Sequence, residues 1–326
     1  MNGTTAVVLA AGLGTRMCSD TAKVLHRIGG RSIAAWVLGA LRSAGVERNV
    51  VVVGHQAEKV RAELEAPDVD FALQAEQKGT GHAVQCAGDL LPAGAETVVV
   101  TVGDAPLVRS ETYGSLLAHH VRSDASATVL TTIMPDPTGY GRVLRHGDGR
   151  VSKIVEHRDA TLEEREVGEI NSGIYAFRAS ALTEALAHLR ANNDQGELYL
   201  TDTLEILGQR GGRLEAVLTE DPHEVMGINT RAQLAEAGTL LLDRHLARLM
   251  DGGVTLELPR ATYIEPGVTV GRETVVEPFC HLSGSTRVGE GCRIGAGAVL
   301  RDVVISDGMV IAPGAQRNGD GPGRGR

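Results

Sequence analysis

Three β-branched runs stand out along the first hundred residues: 5–11 (TAVVLAA), 50–53 (VVVV) and 97–102 (TVVVTV), each followed by a glycine-containing turn. Strands that are apolar on both faces belong in the middle of a layered sheet, so these runs predict buried parallel strands. Between the first two, residues 32–44 place Ile33, Trp36, Val37, Ala40 and Leu41 at helical spacing, and residues 80–90 keep the same rhythm. Such alternation predicts an α/β domain with a doubly wound sheet, whose ligands sit at the carboxyl ends of the strands. Further strands are expected at 128–134, 151–155 and 170–178, and helices near 179–190, 199–209 and 230–250. The first domain is therefore expected to span residues 1–250.

After Asp251-Gly252-Gly253 the helical rhythm stops and glycine becomes frequent. Ile264, Val270, Val276, Leu282, Val288, Ile294 and Leu300 then recur at every sixth position, with Gly, Pro or small residues close behind, and Ile305 and Ile311 follow. A six-residue period gives one short strand and one turn, so three repeats close a triangular coil and each aliphatic side chain stacks on the one a coil away. A parallel β-helix of about three coils is predicted over 251–315. The segment QRNGDGPGRGR (316–326) is too polar and glycine-rich to pack, and a disordered tail is expected.

Composition narrows the partners. In 326 residues, 42% hydrophobic and 22% charged, there is material for a sizeable core, which excludes a disordered or collagenous chain. Aromatics are only 3% and the formal net charge is -9, which argues against nucleic acid as a partner; any bound anion must meet a local cationic pocket. No run approaches the roughly 18 apolar residues of a membrane span, and the first residues lack a signal peptide's basic and apolar regions, so no membrane association and a cytoplasmic location are expected. Cys18, Cys86, Cys280 and Cys292 show no C-x-x-C spacing and read as reduced thiols.

The candidate chemistry begins in the first strand-to-helix turn, Leu9-Ala10-Ala11-Gly12-Leu13-Gly14-Thr15-Arg16-Met17. Backbone N–H groups of a glycine-rich loop can reach a polyphosphate. A dinucleotide loop would need a third glycine where Met17 stands and an acidic residue closing the second strand, which instead runs Val53-Gly54-His55; the Walker pattern is also absent. What the loop offers is two cations, Arg16 and Lys23. Taken alone, each reads as a solvated surface charge.

LAAGLGTRM followed by Ala22-Lys23-Val24-Leu25 resembles the signature of the sugar nucleotidyltransferases, with Ala22 in place of the usual proline. QAEQKGTGHA (74–83), GDAPL (103–107), DPTGYGRV (136–143), IVEHRDAT (154–161), EINSGIYAF (169–177), NNDQGELYLTD (192–202) and GINT (227–230), together with the hexapeptide period, narrow this to the N-acetylglucosamine-1-phosphate uridylyltransferases. These form the first part of a bifunctional, GlmU-type enzyme. The resemblance implies a Rossmann-like nucleotidyltransferase domain with a short left-handed β-helix. It also implies attack of a sugar 1-phosphate oxygen on the α-phosphorus of UTP, giving UDP-N-acetylglucosamine and pyrophosphate. A phosphate monoester with a second pKa of about 6 is already largely ionised at pH 7, so no general base is needed. The obstacle is roughly six negative charges brought together, which calls for positioning and cation clamping.

By resemblance, Asp104 and Asn229 hold a Mg²⁺ and Arg16 and Lys23 neutralise the remaining charge. Ala10, Ala11, Gln74, Gly79 and Thr80 match positions that hold the uracil, with Leu9, Gly12 and Gly103 also among the substrate-binding positions. Gly141, Glu156, Asn171 and Asn229 line the sugar phosphate. Val102 departs from the tyrosine or other polar residue often found there, which leaves open a different sugar 1-phosphate or nucleotide. A non-catalytic sensor keeping the same shape is the other alternative, against which the joint retention of Arg16, Lys23, Asp104 and Asn229 speaks. The family's acetyltransferase site lies in later coils, so acetyltransferase activity is expected to be absent, with His281 a surface residue and the coils serving a homotrimer.

Overall fold

The computed structural model describes residues 3–319. Its elements run β1 (Thr4–Ala10), β2 (Arg27–Ile28), β3 (Arg31–Ser32), α1 (Ile33–Ser43), β4 (Arg48–Val53), α2 (Ala57–Leu64), β5 (Val69–Leu73), α3 (Thr80–Cys86) and β6 (Thr97–Val102). Next come α4 (Ser110–Ser123), β7 (Ala127–Ile133), β8 (Arg142–Arg145), β9 (Val151–Val155), α5 (Leu162–Arg165), β10 (Glu169–Arg178), α6 (Ala179–Leu186), α7 (Asp202–Gln209), β11 (Leu214–Leu218) and α8 (Arg231–Asp251).

The β-branched runs stand side by side. β1 pairs in parallel with β4 on one edge and β6 on the other, and the sheet runs β11-β7-β10-β6-β1-β4-β5, with β8 and β9 paired off its path. Successive residues point to opposite faces, and both faces are covered: Val8, Val51 and Val99 join one apolar cluster, Val7, Val50 and Val100 the other. This is why the runs show no polar alternation. β10 runs antiparallel to both β6 and β7, making the sheet mixed. Its pairing with β7 shifts register between Asn171 and Tyr175, a bulge that includes Gly173 at φ +77°.

The chain divides into two compact units. One holds the residues through His26 together with Ser32–Arg231; the other holds Arg27–Arg31 and the residues from Ala232 onward. The division falls after Arg231, the first residue of α8, earlier than the boundary near 250 drawn from composition. Leu246 of α8 is buried in the same cluster as Val254, Ile264 and Val276, so the helix belongs with the coils. A helical period marks an apolar face without saying which neighbour covers it.

In this second unit β12 (Thr255–Leu256), β13 (Tyr263–Ile264), β14 (Thr269–Val270), β15 (Val275–Val276), β16 (His281–Ser283), β17 (Arg287–Val288), β18 (Arg293–Ile294), β19 (Val299–Arg301), β20 (Val304–Ile305), β21 (Val310–Ile311) and β22 (Gln316–Asn318) form three parallel sheets, ordered β12-β15-β18-β21, β13-β16-β19-β22 and β14-β17-β20. Ile264 stacks on Leu282 and Leu282 on Leu300, as a left-handed parallel β-helix of hexapeptide repeats requires. The step from Val288 to Ile305 is one residue shorter than that from Val270 to Val288. The expected disorder from residue 316 does not hold for Gln316–Asn318: their side chains are exposed, but their backbone pairs with β19. Residues 320–326 of that segment lie outside the described residues. No helix among the described residues is long and apolar enough to cross a membrane.

Candidate functional site

The loops leaving β1 and β6 meet because Gly103 has no side chain. A Cβ there would stand 3.0 Å from the Leu9 carbonyl oxygen and 3.2 Å from the Ala10 Cβ, and the Gly103 N–H donates to Leu9 O at 2.8 Å. Above this junction a cavity of about 280 Å³ opens, lined by Leu9, Ala10, Ala11 and Gly12 from the β1 turn, Gln74, Gly79 and Thr80 from the β5–α3 segment, and Lys23, Val102 and Asp104. The residues matched to nucleotide contacts are thus gathered at the carboxyl ends of parallel strands. Gln74 is buried; its Nε2 donates to Gly79 O at 3.1 Å and lies 3.2 Å from His82 Nδ1. Arg16 stands apart, exposed on a single turn of 3₁₀ helix (Thr15–Met17) and outside the lining.

Two further lining residues, Gln77 and Glu197, went unread in the sequence although both lie inside quoted motifs. Gln77 Nε2 donates to Ala11 O at 3.1 Å, tying the β5–α3 segment to the glycine loop. The available signal was the second amide of QAEQ, three positions after Gln74.

The cationic point of the site is Lys23. Gly14, at φ +64°, allows its approach, since a Cβ at that position would sit 2.7 Å from Lys23 Cβ. The Lys23 ammonium forms an ion pair with Asp104 Oδ2 and donates to Asn229 Oδ1 at 3.0 Å. The two oxygens come from separate segments locked together by the Ile228 N–H donating to Asp104 O at 2.9 Å. Gly227 keeps the space beside them clear, a Cβ there lying 3.5 Å from Asp104 Oδ1. One carboxylate and one amide oxygen converging on a single positive charge are hard ligands that suit a divalent ion filling its shell with water and phosphate oxygens. Among the described residues no group of three or more His, Cys, Asp or Glu side chains could hold a metal.

Gly141, Glu156 and Asn171 form a second cluster. A Cβ on Gly141 would lie 3.4 Å from Glu156 Oε2 and 3.5 Å from Asn171 Cβ, and the Asn171 N–H donates to Gly141 O at 2.9 Å. The bulge in β10 shapes Asn171, whose Oδ1 accepts from the Gly173 N–H at 2.9 Å. Thr201, also unread in the sequence, donates through Oγ1 to Glu156 Oε1 at 3.3 Å, while the Leu200 N–H donates to Thr80 Oγ1 at 3.0 Å, so one short segment links the two clusters. Burial pushes the Glu156 carboxyl up, reinforced by Asp159 and Asp202 and opposed by the Thr201 hydrogen bond. Asp202 is pushed up to about 6 by burial and by Glu205 and Asp159. Burial and the Asp104 carboxylate push the Tyr140 hydroxyl up.

Residues 6–200 match the MobA-like NTP transferase domain, and residues 267–302 match the bacterial transferase hexapeptide (six repeats). The Bifunctional protein GlmU of Geobacter metallireducens is 48% identical over 302 residues, covering 92% of this chain and 63% of that protein. Its namesake from Pelobacter propionicus is 47% identical over 316 residues, covering 97% and 69%, and that from Acetivibrio thermocellus is 48% identical over 306, covering 94% and 66%. The chain thus spans about two-thirds of the length of these relatives. With its glycine loop, mixed sheet and hexapeptide coils, the chain belongs to the MobA-like NTP transferase family, alongside the GlmU proteins.

Proposed function

We propose that this chain is a Mg²⁺-dependent uridylyltransferase that joins UTP to N-acetylglucosamine 1-phosphate, releasing pyrophosphate and giving UDP-N-acetylglucosamine. The observation that carries the reading is the convergence of Lys23, Asp104 and Asn229 at the rim of a cavity floored by a glycine loop. Asp104 and Asn229 would hold the ion, which supplies charge neutralisation between the two sets of phosphates. Lys23 neutralises phosphate charge from the cavity side and Arg16 from the solvent side of the loop. Leu9 to Gly12, Gln74, Gly79, Thr80 and Gly103 seat the nucleotide, where closely approaching backbone and a held amide can read the edge of uracil. Gly141, Glu156, Asn171 and Asn229 seat the sugar phosphate, with Glu156 and Asn171 offering acceptors and donors to hydroxyl and acetamido groups.

A second reading keeps the reaction and changes the sugar or the nucleotide. It is favoured by Val102, an apolar side chain in the cavity lining. Purified protein incubated with Mg²⁺ and pairwise combinations of UTP, dTTP and GTP with several sugar 1-phosphates, read by mass spectrometry, separates the two. UDP-N-acetylglucosamine as the dominant product supports the first; a different nucleotide sugar supports the second; no product from any pair removes both. The coils serve a homotrimer in this reading, supported by outward-facing Val304 and Val310 on the last coil, and light scattering on the eluted protein checks it. Four free thiols suit a cytoplasmic setting.

A further inference from the structure

The bulkiest of the most deeply buried side chains is a charged one: Arg142 is 1% exposed. A guanidinium taken out of water costs several kcal/mol unless it is paired. Arg142 nevertheless makes its hydrogen bonds to two backbone carbonyls and an imidazole. One terminal nitrogen donates to Tyr140 O, Nε donates to Arg165 O at 3.4 Å, and the other terminal nitrogen meets His157 Nδ1 at 3.4 Å. Burial, and then the like charge of Arg165, pull its pKa down, with Asp136 opposing. An aliphatic side chain would fill this volume at no hydration cost, so packing alone does not account for an arginine.

Two of these three partners are chain neighbours of residues in the second cluster. Tyr140 immediately precedes Gly141, His157 immediately follows Glu156, and Arg165 closes α5. Arg142 itself lies opposite Ile170 in the β8–β10 pairing, and Ile170 immediately precedes Asn171. The guanidinium therefore engages chain neighbours of Gly141 and Glu156, while the Arg142 backbone pairs opposite the residue before Asn171. Lysine, with a single point of donation, cannot reach these directions together.

We propose that Arg142 is a positioning residue for the sugar half of the site: it fixes the mutual spacing of Gly141, Glu156 and Asn171, and so governs how tightly the sugar 1-phosphate, but not the nucleotide, is held. This rests on the assignment of those three residues to the sugar phosphate. It assigns Arg142 no contact with substrate.

Steady-state kinetics of wild type, Arg142→Lys and His157→Leu, each substrate varied with the other saturating, tests it. Arg142→Lys is expected to raise KM for the sugar 1-phosphate at least tenfold while KM for UTP stays within twofold. His157→Leu removes one acceptor and is expected to raise the same KM at least threefold. A role confined to stability would lower the folded fraction, which scales kcat and leaves both KM values in place. Unchanged KM for the sugar phosphate in a folded Arg142→Lys, or an equal rise for both substrates, overturns the proposal; should Arg142→Lys not fold, His157→Leu decides by the same criterion. A wild-type protein that turns over no sugar 1-phosphate removes the underlying assignment and this inference with it, whereas active wild type with flat variant KM values removes the inference alone.

Discussion

Gly79→Ala is the sharpest test of how the nucleotide side of the site is built. Gly79 sits at φ 103° and ψ 174°, a region of backbone space open almost only to glycine, where another residue costs about 1–3 kcal/mol. The new Cβ would lie 2.5 Å from the Leu198 carbonyl oxygen and 2.9 Å from the Leu198 nitrogen. Neither is the end of a flexible side chain, so the two segments must part. That strains two hydrogen bonds, Leu198 N–H to Lys78 O and Gly81 N–H to Leu198 O, both 2.8 Å and each worth about 1 kcal/mol net. The loss should total about 3–5 kcal/mol, a large share of the stability of an ordinary domain. Urea unfolding followed by Trp36, the sole tryptophan, in α1 of the same unit, measures it. Gly114→Ala is the control: Gly114 lies inside α4 with nothing within 4 Å of a new Cβ, and the change should be neutral or stabilising by up to about 1 kcal/mol. A loss below about 1 kcal/mol in Gly79→Ala would refute the assigned close approach.

Three further outcomes are expected. Asp104→Ala should lower turnover, measured as pyrophosphate release, by at least about 10³, since one charged metal ligand supplies several kcal/mol at the transition state; near-normal turnover removes the metal role. Gln74→Ala should raise KM for UTP by about tenfold, with loss of the hydrogen bond that holds Gly79 O, and an unchanged value would detach the amide from nucleotide binding. Burial, and then Arg178, lower the His120 pKa to about 4, so the fold holds it neutral while the unfolded chain takes up a proton below about 6.5; its contribution is complete above that value and is lost as pH falls towards 4. Between pH 7 and pH 5 the wild type should therefore lose about 2 kcal/mol more than His120→Gln in urea titrations, and parallel losses would contradict the linkage.

The pattern of apolar residues located the central strands and the coils from Ile264 to Ile311, because burial on both faces and a six-residue period are local properties; the polar β22 carries no such pattern. It said nothing of β10's direction, since an antiparallel strand carries the same alternation as a parallel one. β11 escaped for a related reason: it is an edge strand with only Leu214 buried, so its pattern is faint. Within the site, the glycine loop, Lys23 and Asp104 were legible as motifs. That the Lys23 ammonium would lie between Asp104 and Asn229 was not, because it depends on a contact between positions 81 and 206 residues apart. Thr201 was passed over for the same cause, and Arg142 in part, since Glu156, His157 and Arg165 belong to other segments.

In the coils, turn amides are held by carboxylates from the neighbouring coil: the Gly284 N–H by Glu265, Ser285 by Asp302, Glu290 by Asp307 and Ala296 by Glu277, at 2.7–2.9 Å. The Asp302 carboxyl is held below its usual range by the Ser285 amide first, so its support is present at neutral pH and disappears as acid protonates it. Asp302 is in effect an acid-sensitive clip between two rungs of the solenoid, and any association built on that corner inherits its sensitivity. Lengthening or shortening such a column demands that each new corner bring both its amide and the matching acid one rung away.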